Sequence, residues 1–326
     1  MRIVITGGAG FLGQRLARAI LGRGYLTDAR GTQRAVREVV LVDVLPARGI
    51  ADARLRVVAG DLADPAVAAA AITPDTDSVF HLAAVVSGQA EADFDLGMRV
   101  NLDATRLMLD RCRALPAPPK FVFASSIAVF GGRLPDPVPD DAPLTPHSSY
   151  GTQKVIGELL VADLSRRGAL DGRSLRLPTV TVRPGLPNRA ASSFASGIIR
   201  EPLAGVEAIC PVAPGTRMWV QSPVAVIENL LVGHEAPAPA FAASRSVNVP
   251  GISVAVGDMV AALREVAGDA AADRVRWQLD PAVDRIVSTW PAALTAEHGH
   301  ALGMRADRDF AAIVRAYIGD LTAGAA

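Results

Sequence analysis

The sequence predicts an α/β fold, a doubly wound parallel sheet followed by a smaller, less regular C-terminal region. Short apolar runs alternate with helical patterns from the first residues to about residue 184. The first run, Ile3 to Ile5, breaks into glycines and then continues with helical spacing. Beyond Pro187 the alternation stops. We therefore expect one domain over 1–184 and a second region over 185–326 that is interleaved with late sheet elements.

Composition and charge exclude several classes of protein. The chain has 326 residues, of which 50% are hydrophobic and 20% charged, so we expect a folded core and not a disordered chain. Its 33 basic and 33 acidic side chains cancel, and no basic block stands out. Nucleic acid and an anionic membrane are therefore not expected as partners.

Cysteine content and hydropathy indicate where the protein works. Cys112 and Cys210 are far apart, which argues against a disulfide scaffold or a zinc site and favours a reducing compartment. We expect no bound metal. No apolar run reaches the ~18 residues of a membrane span, and the N-terminal run is too short for a cleavable signal. We expect a cytoplasmic protein.

The glycine-rich turn near the N-terminus predicts a dinucleotide site. Strand, glycine turn and helix follow one another in Thr6-Gly-Gly-Ala-Gly-Phe-Leu-Gly13. Gly7 and Gly10 allow the backbone to turn and approach a pyrophosphate, and Gly13 allows close packing of helix on strand. Backbone N–H groups at the helix start, around Phe11 and Leu12, would face the anion. The alternative is a structural turn that binds nothing.

An acid at the end of the second strand predicts the type of dinucleotide. The strand Val39 to Asp43 ends in a carboxylate that would accept hydrogen bonds from a ribose 2′-OH and repel a 2′-phosphate, which favours NAD over NADP. Asp43 lies farther from Gly13 than the ~20 residues expected, and a loop near residues 27–33 would absorb the excess. Alternatively, Asp43 only caps the next turn.

The third and fourth strands end in further candidates. The third, Arg54 to Leu62, ends in Gly60-Asp61-Leu62, where Asp61 faces the adenine edge, caps the helix from Pro65 to Ala71, or does both. The fourth, Ser78 to Val86, ends in small residues against which a cofactor could lie. His81 is inside this apolar run, so a core histidine with satisfied hydrogen bonds is favoured over a catalytic one.

The remaining pattern completes the expected order of elements. Asn101 lies on a helix predicted from about Phe94 to Arg113, and a proline-rich surface loop is expected over 135–146. Further strands are expected at 120–126, 175–183, 218–220 and 247–249, and further helices at 150–165, 194–199, 224–231, 256–267 and 310–318.

Ser126, Tyr150 and Lys154 are the candidates for chemistry. Tyr150 and Lys154 are four residues apart on a predicted helix, so their side chains share one face. An ammonium beside a phenol stabilises the phenolate and lowers a pKa that starts near ~10, which makes Tyr150 a general base near neutral pH. Ser126, at a strand end, would orient a substrate oxygen. A tyrosine and a lysine at this spacing also arise by chance on exposed helices.

The chain resembles the extended short-chain dehydrogenase/reductase family, which includes NAD-dependent sugar epimerases and dehydratases. The resemblance covers essentially the whole chain. It is carried by the glycine turn, Asp43, Gly60-Asp61-Leu62, His81-Leu-Ala-Ala84, Asn101, Ala124-Ser-Ser126, Tyr150-Gly-Thr-Gln-Lys154 and Arg183-Pro-Gly185.

The resemblance implies a Rossmann fold, NAD as cofactor and a role for each matching residue. Tyr150 would be the acid/base, and Lys154 would bind the nicotinamide ribose and tune Tyr150. Ser126 matches the catalytic serine, with Ser125 as the alternative, and Pro184 would lie against the nicotinamide amide. Further cofactor contacts are implied for Asp61, Leu62, Leu82, Ala83, Asn101 and Ser125.

Within the family, the sequence favours a dehydrogenase. Dehydratases carry an acidic pair after the catalytic serine, where Ile127 and Ala128 stand here. The segments 148–158, 177–185 and 190–203 most resemble the dehydrogenases of D-erythronate, a four-carbon sugar acid. That resemblance implies oxidation of the C2 hydroxyl of a small sugar acid to the 2-keto acid.

A sugar-acid substrate needs a cation for its carboxylate. Arg217 is the favoured candidate, with Arg183, Arg189 and Arg200 as alternatives. Substrate hydroxyls would be bound by polar residues that are otherwise ordinary turn or cap residues, namely Ser87, Asn188, Ser192 and Ser193.

Two other functions stay open at this point. One is an epimerase that acts on a nucleotide sugar and regenerates its NAD internally, and the other is an NAD-sensing protein without catalysis. The protein is expected to form a homodimer, because the helices 94–113 and 150–165 pair two copies in many family members. Burial of these helices within one chain would produce the same sequence pattern.

Overall fold

The computed structural model describes residues 1–47, 49–185 and 190–324. Its strands, in chain order, are β1 (Arg2–Thr6), β2 (Tyr25–Thr27), β3 (Gln33–Ala35), β4 (Glu38–Asp43), β5 (Leu55–Ala59), β6 (Ser78–His81), β7 (Lys120–Ser126), β8 (Asp171–Leu177), β9 (Thr179–Val180), β10 (Ala208–Cys210), β11 (Arg217–Gln221), β12 (Ser246–Asn248), β13 (Ile252–Ala255) and β14 (Val275–Trp277).

The α-helices are α1 (Phe11–Arg23), α2 (Pro65–Ala71), α3 (Ser87–Ala92), α4 (Phe94–Gly97), α5 (Ala104–Arg113), α6 (Ser149–Arg166), α7 (Phe194–Leu203), α8 (Pro223–Glu235), α9 (Val256–Ala267), α10 (Asp269–Ala272), α11 (Pro281–Val287), α12 (Glu297–Ala301) and α13 (Phe310–Gly324). A π-helical segment, Met98–Asp103, joins α4 to α5. Short 3₁₀ turns occur at Ile127–Val129, Ala191–Ser193 and Ala238–Ala240.

The largest sheet has seven strands in the order β12-β8-β7-β6-β1-β4-β5. The pairings of β1 with β4 and β6, of β4 with β5, and of β6 with β7 are all parallel. This order runs outward in both directions from β1, so the predicted doubly wound parallel sheet is confirmed.

The reversal of strand order between β1 and β6 positions the ligand-binding edge. Thr6 is paired with His81 in the register of these two strands, so their carboxyl ends are level. In open α/β sheets, ligands bind in the crevice outside the carboxyl ends where the strand order reverses. The glycine turn leaves β1 at this point, and Leu82 and Ala83 leave β6 there.

By packing, the chain divides into two units. The first comprises residues 1–129, 148–176 and 229–247, and one cluster of its buried core lies between the large sheet and helices α2, α5 and α6. The second comprises 130–147, 177–228 and 248–326, and its core includes Ile198, Met218, Met259, Leu263 and Val314. The predicted functional division at residue 184 stays a prediction.

Several predicted elements have different bounds in the structure. The single strand predicted over 175–183 is wrong, because Pro178 interrupts it and separates β8 in the large sheet from β9 in a three-stranded sheet with β11 and β13. Proline lacks the N–H that a continuous ladder requires. The fourth strand ends at His81 and not at Val86, and α3 begins soon after it.

Other elements had no clear signal in the sequence. The stretch expected as a loop near 27–33 is the tip of an antiparallel hairpin of β2 and β3. Some elements are too short to show a reliable hydrophobic periodicity, namely the strands β10, β13 and β14 and the helices α10 to α12. None of the helices in the described ranges is long and apolar enough to cross a membrane.

Candidate active site

The glycine turn is packed too closely to accept side chains at Gly7, Gly8 and Gly13. Gly7 has a positive φ of 69°, and a Cβ there would lie 2.9 Å from the backbone nitrogen of Ala83. A Cβ on Gly13 would lie 2.3 Å from the Gly7 carbonyl oxygen. These contacts bring α1, β1 and the end of β6 together and leave bare backbone at the carboxyl edge of the sheet.

The start of α1 offers backbone donors. Gly10 occupies the N-cap position and, within the described chain, no side chain caps this helix. The Gly10 N–H bonds to the Gly7 carbonyl at 3.1 Å, while Phe11 and Leu12 occupy the first helical positions. The first N–H groups of a helix have no intrahelical acceptors and carry its positive dipole end. The turn therefore fits the pyrophosphate of a dinucleotide.

Asp43 is held at the edge of the glycine turn. One carboxylate oxygen accepts the Ala9 N–H at 3.0 Å, and the other accepts the Leu45 N–H at 3.2 Å. The side chain is half-buried at the carboxyl end of β4. Each carboxylate oxygen has a second lone pair, so Asp43 can still accept ribose hydroxyls. Asp43 does accept the Leu45 N–H of the next turn, but capping is not its only contact, because it also accepts the Ala9 N–H of the glycine turn.

Asp61 does not cap α2, contrary to one of its two predicted roles. Asp64 is the N-cap and accepts the Ala66 N–H at 2.8 Å. Asp61 instead accepts the Ala63 N–H at 2.9 Å and forms an ion pair with Arg99. These two contacts lower the pKa of the Asp61 carboxyl, so it is charged at neutral pH. The adjacent Leu62 is buried.

His81 is a core residue with a defined tautomer. The Thr105 hydroxyl donates to the Asn101 carbonyl, so Thr105 must accept from His81 Nε2–H, 2.8 Å away. His81 Nδ1 then accepts from the Thr6 hydroxyl at 2.7 Å. Burial is the main cause that lowers the pKa of His81, to about 3. The neutral, fully bonded ring agrees with the prediction of a core histidine.

Asn101 connects the end of β6 to the helix that carries Tyr150. Its amide oxygen accepts the Val85 N–H at 2.8 Å, and its amide nitrogen donates to Gln153 Oε1 at 2.8 Å. Asn101 lies in the π-helical segment, a rare geometry that is frequent at functional sites. Its side chain therefore holds the loop after β6, and its role toward a cofactor stays a prediction.

Tyr150 and Lys154 lie on the first turns of α6. Ser148 caps this helix by accepting the Gly151 N–H at 3.1 Å. The Lys154 ammonium is fully buried and donates to the Ala124 carbonyl of β7 at 2.8 Å. It lies 5.5 Å from the centre of the Tyr150 ring and 4.7 Å from that of Phe123. The predicted shared face is therefore present in the structure.

Burial and one carboxylate act on Lys154 in opposite directions. Removal from water disfavours the ammonium and lowers the pKa of Lys154 to about 8. The negative charge of Glu158, one turn farther along α6, opposes this and raises the pKa. Lys154 is therefore charged at neutral pH but close to titration.

The two serines at the end of β7 have different environments. The Ser125 hydroxyl is buried and donates to Glu158 Oε1 at 2.5 Å. Ser126 is half-buried, and its oxygen accepts the Ala128 N–H at 3.1 Å. Accepting one bond leaves the Ser126 O–H able to donate. This supports Ser126 over Ser125 as the serine that orients a substrate oxygen.

Among the predicted substrate residues of the second unit, Arg183, Ser192 and Arg200 contact one another. Arg217 is exposed on β11 and donates to Ser253 Oγ at 2.9 Å. Arg183 donates to Ser192 Oγ at 2.7 Å, and the buried Arg200 donates to the Arg183 carbonyl at 2.9 Å. Ser193 is half-buried, and Pro184 is exposed. Asn188 and Arg189 lie outside the described residues. In the first unit, Ser87 is half-buried at the start of α3.

The sequence analysis missed Glu158, Arg176 and Gln153. Arg176, on β8, forms a two-pronged ion pair with Glu158, with contacts of 2.8 and 3.0 Å. A signal was available for Glu158, which is four residues after Lys154 on the same helix face. Arg176 and Gln153 had no such signal, because their partners lie on other elements.

Comparison with known proteins shows the family of this chain. The NAD dependent epimerase/dehydratase family matches residues 3–217. A D-erythronate dehydrogenase of Cupriavidus necator is 58% identical over 98% of both chains, and one of Haemophilus influenzae is 41% identical over 98% of this chain and 99% of its own. A crystal structure described as a nucleoside-diphosphate-sugar epimerase from Agrobacterium tumefaciens is 40% identical, with a TM-score of 0.92 over 99% of this chain and 95% of that one.

The glycine turn, the uncapped start of α1, the carboxylate at the end of β4 and the Tyr150–Lys154 pair are all consistent with these similarities. Enzymes of this family use NAD to oxidise CH–OH groups. The chain belongs to the NAD-dependent epimerase/dehydratase family, and its cofactor is NAD.

Proposed function

We propose that the chain oxidises the C2 hydroxyl of a small sugar acid, of the D-erythronate class, to the 2-keto acid. The observation that carries this proposal is the similarity to two proteins described as D-erythronate dehydrogenase, at 58% and 41% identity over 98% of the chain. The hydrophobic residue Ile127 and the small residue Ala128 after Ser126 disfavour dehydration.

Tyr150 is the proposed general base. Its phenolate would take the proton from the C2 hydroxyl as the C2–H bond breaks. The Lys154 ammonium, 5.5 Å from the centre of the Tyr150 ring, stabilises the negative charge of the phenolate. Because Lys154 is fully buried, water screens this attraction little. NAD, when bound, supplies the chemistry of hydride acceptance.

Ser126 would hold the reacting oxygen. Its oxygen already accepts the Ala128 N–H, which fixes the side chain at the end of β7. Its O–H can then donate to the substrate oxygen and orient the hydroxyl group whose proton Tyr150 removes. Placement of this kind contributes to catalysis by orientation.

An arginine would bind the substrate carboxylate. Arg217 is the proposed anchor, and Arg183 is the alternative because it already lies against Ser192. Removing the anchor should raise the KM for the sugar acid and change kcat little, because the carboxylate is bound equally in the ground and transition states. Kinetics of Arg217→Gln and Arg183→Gln would distinguish the two.

A nucleotide-sugar epimerase is the second candidate function. It is favoured by the similarity to the protein from Agrobacterium tumefaciens that is described as an epimerase. An epimerase returns the hydride to the sugar and releases no NADH. A non-catalytic NAD-binding protein is disfavoured, because Ser126, Tyr150 and Lys154 would have no reason to be present together.

One assay distinguishes these functions. Purified protein with NAD⁺ and a panel of four- to six-carbon aldonic acids should produce NADH absorbance, with the four-carbon acids best. Tyr150→Phe should abolish turnover and leave the Kd for NAD nearly unchanged, whereas Tyr25→Phe, at an exposed position, should have no effect on either. Interconversion of nucleotide sugars without net NADH would instead identify an epimerase.

A further inference from the structure

A second buried ion pair lies next to Lys154. Arg176 and Glu158 are both almost completely buried, at 6% and 2% side-chain exposure. The guanidinium contacts both carboxylate oxygens, with Nη2 to Oε2 at 2.8 Å and Nε to Oε1 at 3.0 Å. Ser125 donates a third bond at 2.5 Å. These three hydrogen bonds fix the position of the Glu158 carboxylate.

This pair continues a row of groups along α6. Tyr150, Lys154 and Glu158 follow one another at intervals of four residues, which places them on one face of the helix. Gly157 allows this face to lie close to β7, since a Cβ there would be 2.6 Å from the ring of Phe123. Lys154 and Glu158 then bond to two consecutive residues of β7, Ala124 and Ser125.

We propose that Glu158, held by Ser125 and Arg176, is the counterion that keeps Lys154 charged, and that it is a positioning residue for the reaction of Tyr150. This inference rests on the proposed function, because it assigns to Glu158 an action on the catalytic pair. Glu158 touches neither Tyr150 nor the substrate in this proposal and acts through Lys154.

The other groups that face Lys154 carry no negative charge that could stabilise its ammonium. From β6 it faces His81, whose two ring nitrogens are engaged by Thr6 and Thr105 and which is neutral. From β7 it faces the Phe123 ring and the Ala124 carbonyl. Arg176, on β8, is itself a cation and does not stabilise the ammonium of Lys154.

The effect on Lys154 has a definite sign. An opposite charge favours the charged form of a group and therefore raises the pKa of an ammonium. The pKa of Lys154 is already lowered to about 8 by burial, even with Glu158 present. Without Glu158, the ammonium would therefore lose its proton within the neutral range, and the phenolate of Tyr150 would lose its stabilising charge.

The lysine content of this chain allows a direct test. Lys120 and Lys154 are its two lysines. Full-length protein labelled with ¹³C and ¹⁵N in lysine gives two side-chain signals, and Lys154→Met assigns them. Glu158→Gln keeps the shape of the side chain and removes its charge. We expect it to lower the titration midpoint of Lys154 by about one pH unit or more and to leave Lys120 unmoved.

A second variant separates the effect of the missing carboxylate on Lys154 from the effect of an unpaired buried charge on folding. Glu158→Gln alone leaves the Arg176 charge buried without its partner, so the double variant Glu158→Gln/Arg176→Met removes both charges. Its Lys154 midpoint should also fall. Glu38→Gln, which removes the carboxylate from the ion pair with Arg2, is the matched control and should move neither lysine. An unchanged Lys154 midpoint in both Glu158 variants would overturn the proposal.

The pH profile of kcat connects the counterion to the reaction. In Glu158→Gln, the alkaline limb of the profile should shift to lower pH by the same amount as the Lys154 midpoint, whereas a purely structural defect would lower kcat equally at all pH values. If the wild-type protein produced no NADH with the aldonic acids, the proposed function would fail, and the titration of Lys154 would still decide whether Glu158 keeps it charged.

Discussion

The closest backbone contact in the glycine turn predicts the effect of a single methyl group. In Gly13→Ala, the new Cβ would lie 2.3 Å from the Gly7 carbonyl oxygen and 2.8 Å from the Gly8 Cα. Ordinary contacts begin at 3.4 Å, so the turn and the helix must separate by about 1.1 Å. Both colliding groups are backbone, so no side-chain rotation can relieve the contact.

The expected loss follows from that displacement. A misplacement of about 1 Å in a positioning segment costs on the order of 10²-fold. We therefore expect the Kd for NAD to rise about 100-fold, which is about 2.7 kcal/mol of binding free energy. Overpacking should also lower the free energy of unfolding by about 1–3 kcal/mol.

The same helix supplies a matched control. A Cβ on Gly22 would meet nothing within 4 Å. Gly22→Ala should therefore leave the Kd for NAD unchanged and raise the free energy of unfolding by about 0.5–1 kcal/mol, because alanine is the better helix former. Calorimetric titration with NAD and urea unfolding measure both quantities. A folded Gly13→Ala protein with the wild-type Kd would refute the reasoning.

Three further predictions concern stability and assembly. Arg173, fully buried, forms an ion pair with Asp171 and donates to the carbonyls of Gly233, His234 and Ala236 at the end of α8. Because it breaks a buried ion pair, Arg173→Met should lower the free energy of unfolding by about 3–5 kcal/mol in urea; a loss below 1 kcal/mol would contradict this. The pKa of His81 is lowered to about 3, so between pH 6.5 and pH 3 the unfolded chain binds a proton at this residue and the folded chain does not. The free energy of unfolding should therefore fall by about 1.4 kcal/mol per pH unit as the pH drops from about 6.5 toward 3. Urea midpoints at pH 7 and pH 5 test this, and an unchanged slope in His81→Asn would disprove it. Leu159 on α6 is 63% exposed, so Leu159→Arg should convert a homodimer paired through this helix to monomer in sedimentation, whereas Leu321→Arg on α13 should not; a dimer that survives Leu159→Arg would place the interface elsewhere.

Much of the first unit was predictable because its signals are local. The glycines from Gly7 to Gly13 lie within seven residues, and β7 and α2 have the predicted bounds. The prediction of one strand over 175–183 was wrong because the apolar pattern continues through Pro178, whereas the hydrogen-bonded ladder of β8 ends before it. The prediction that Asp61 caps α2 was wrong because Asp64, directly before Pro65, occupies the N-cap position and accepts the Ala66 N–H.

The sequence by itself determined the glycine turn, the acid at the end of β4 and the shared face of Tyr150 and Lys154, because each depends on residues within one strand, turn or helix. Only the tertiary structure decided that Ser125 bonds to Glu158, that Glu158 pairs with Arg176, and that Asn101 bonds to Gln153. These partners lie on different elements, and which donor meets which acceptor depends on how α6 packs on β7 and β8. No periodicity within one element encodes that choice.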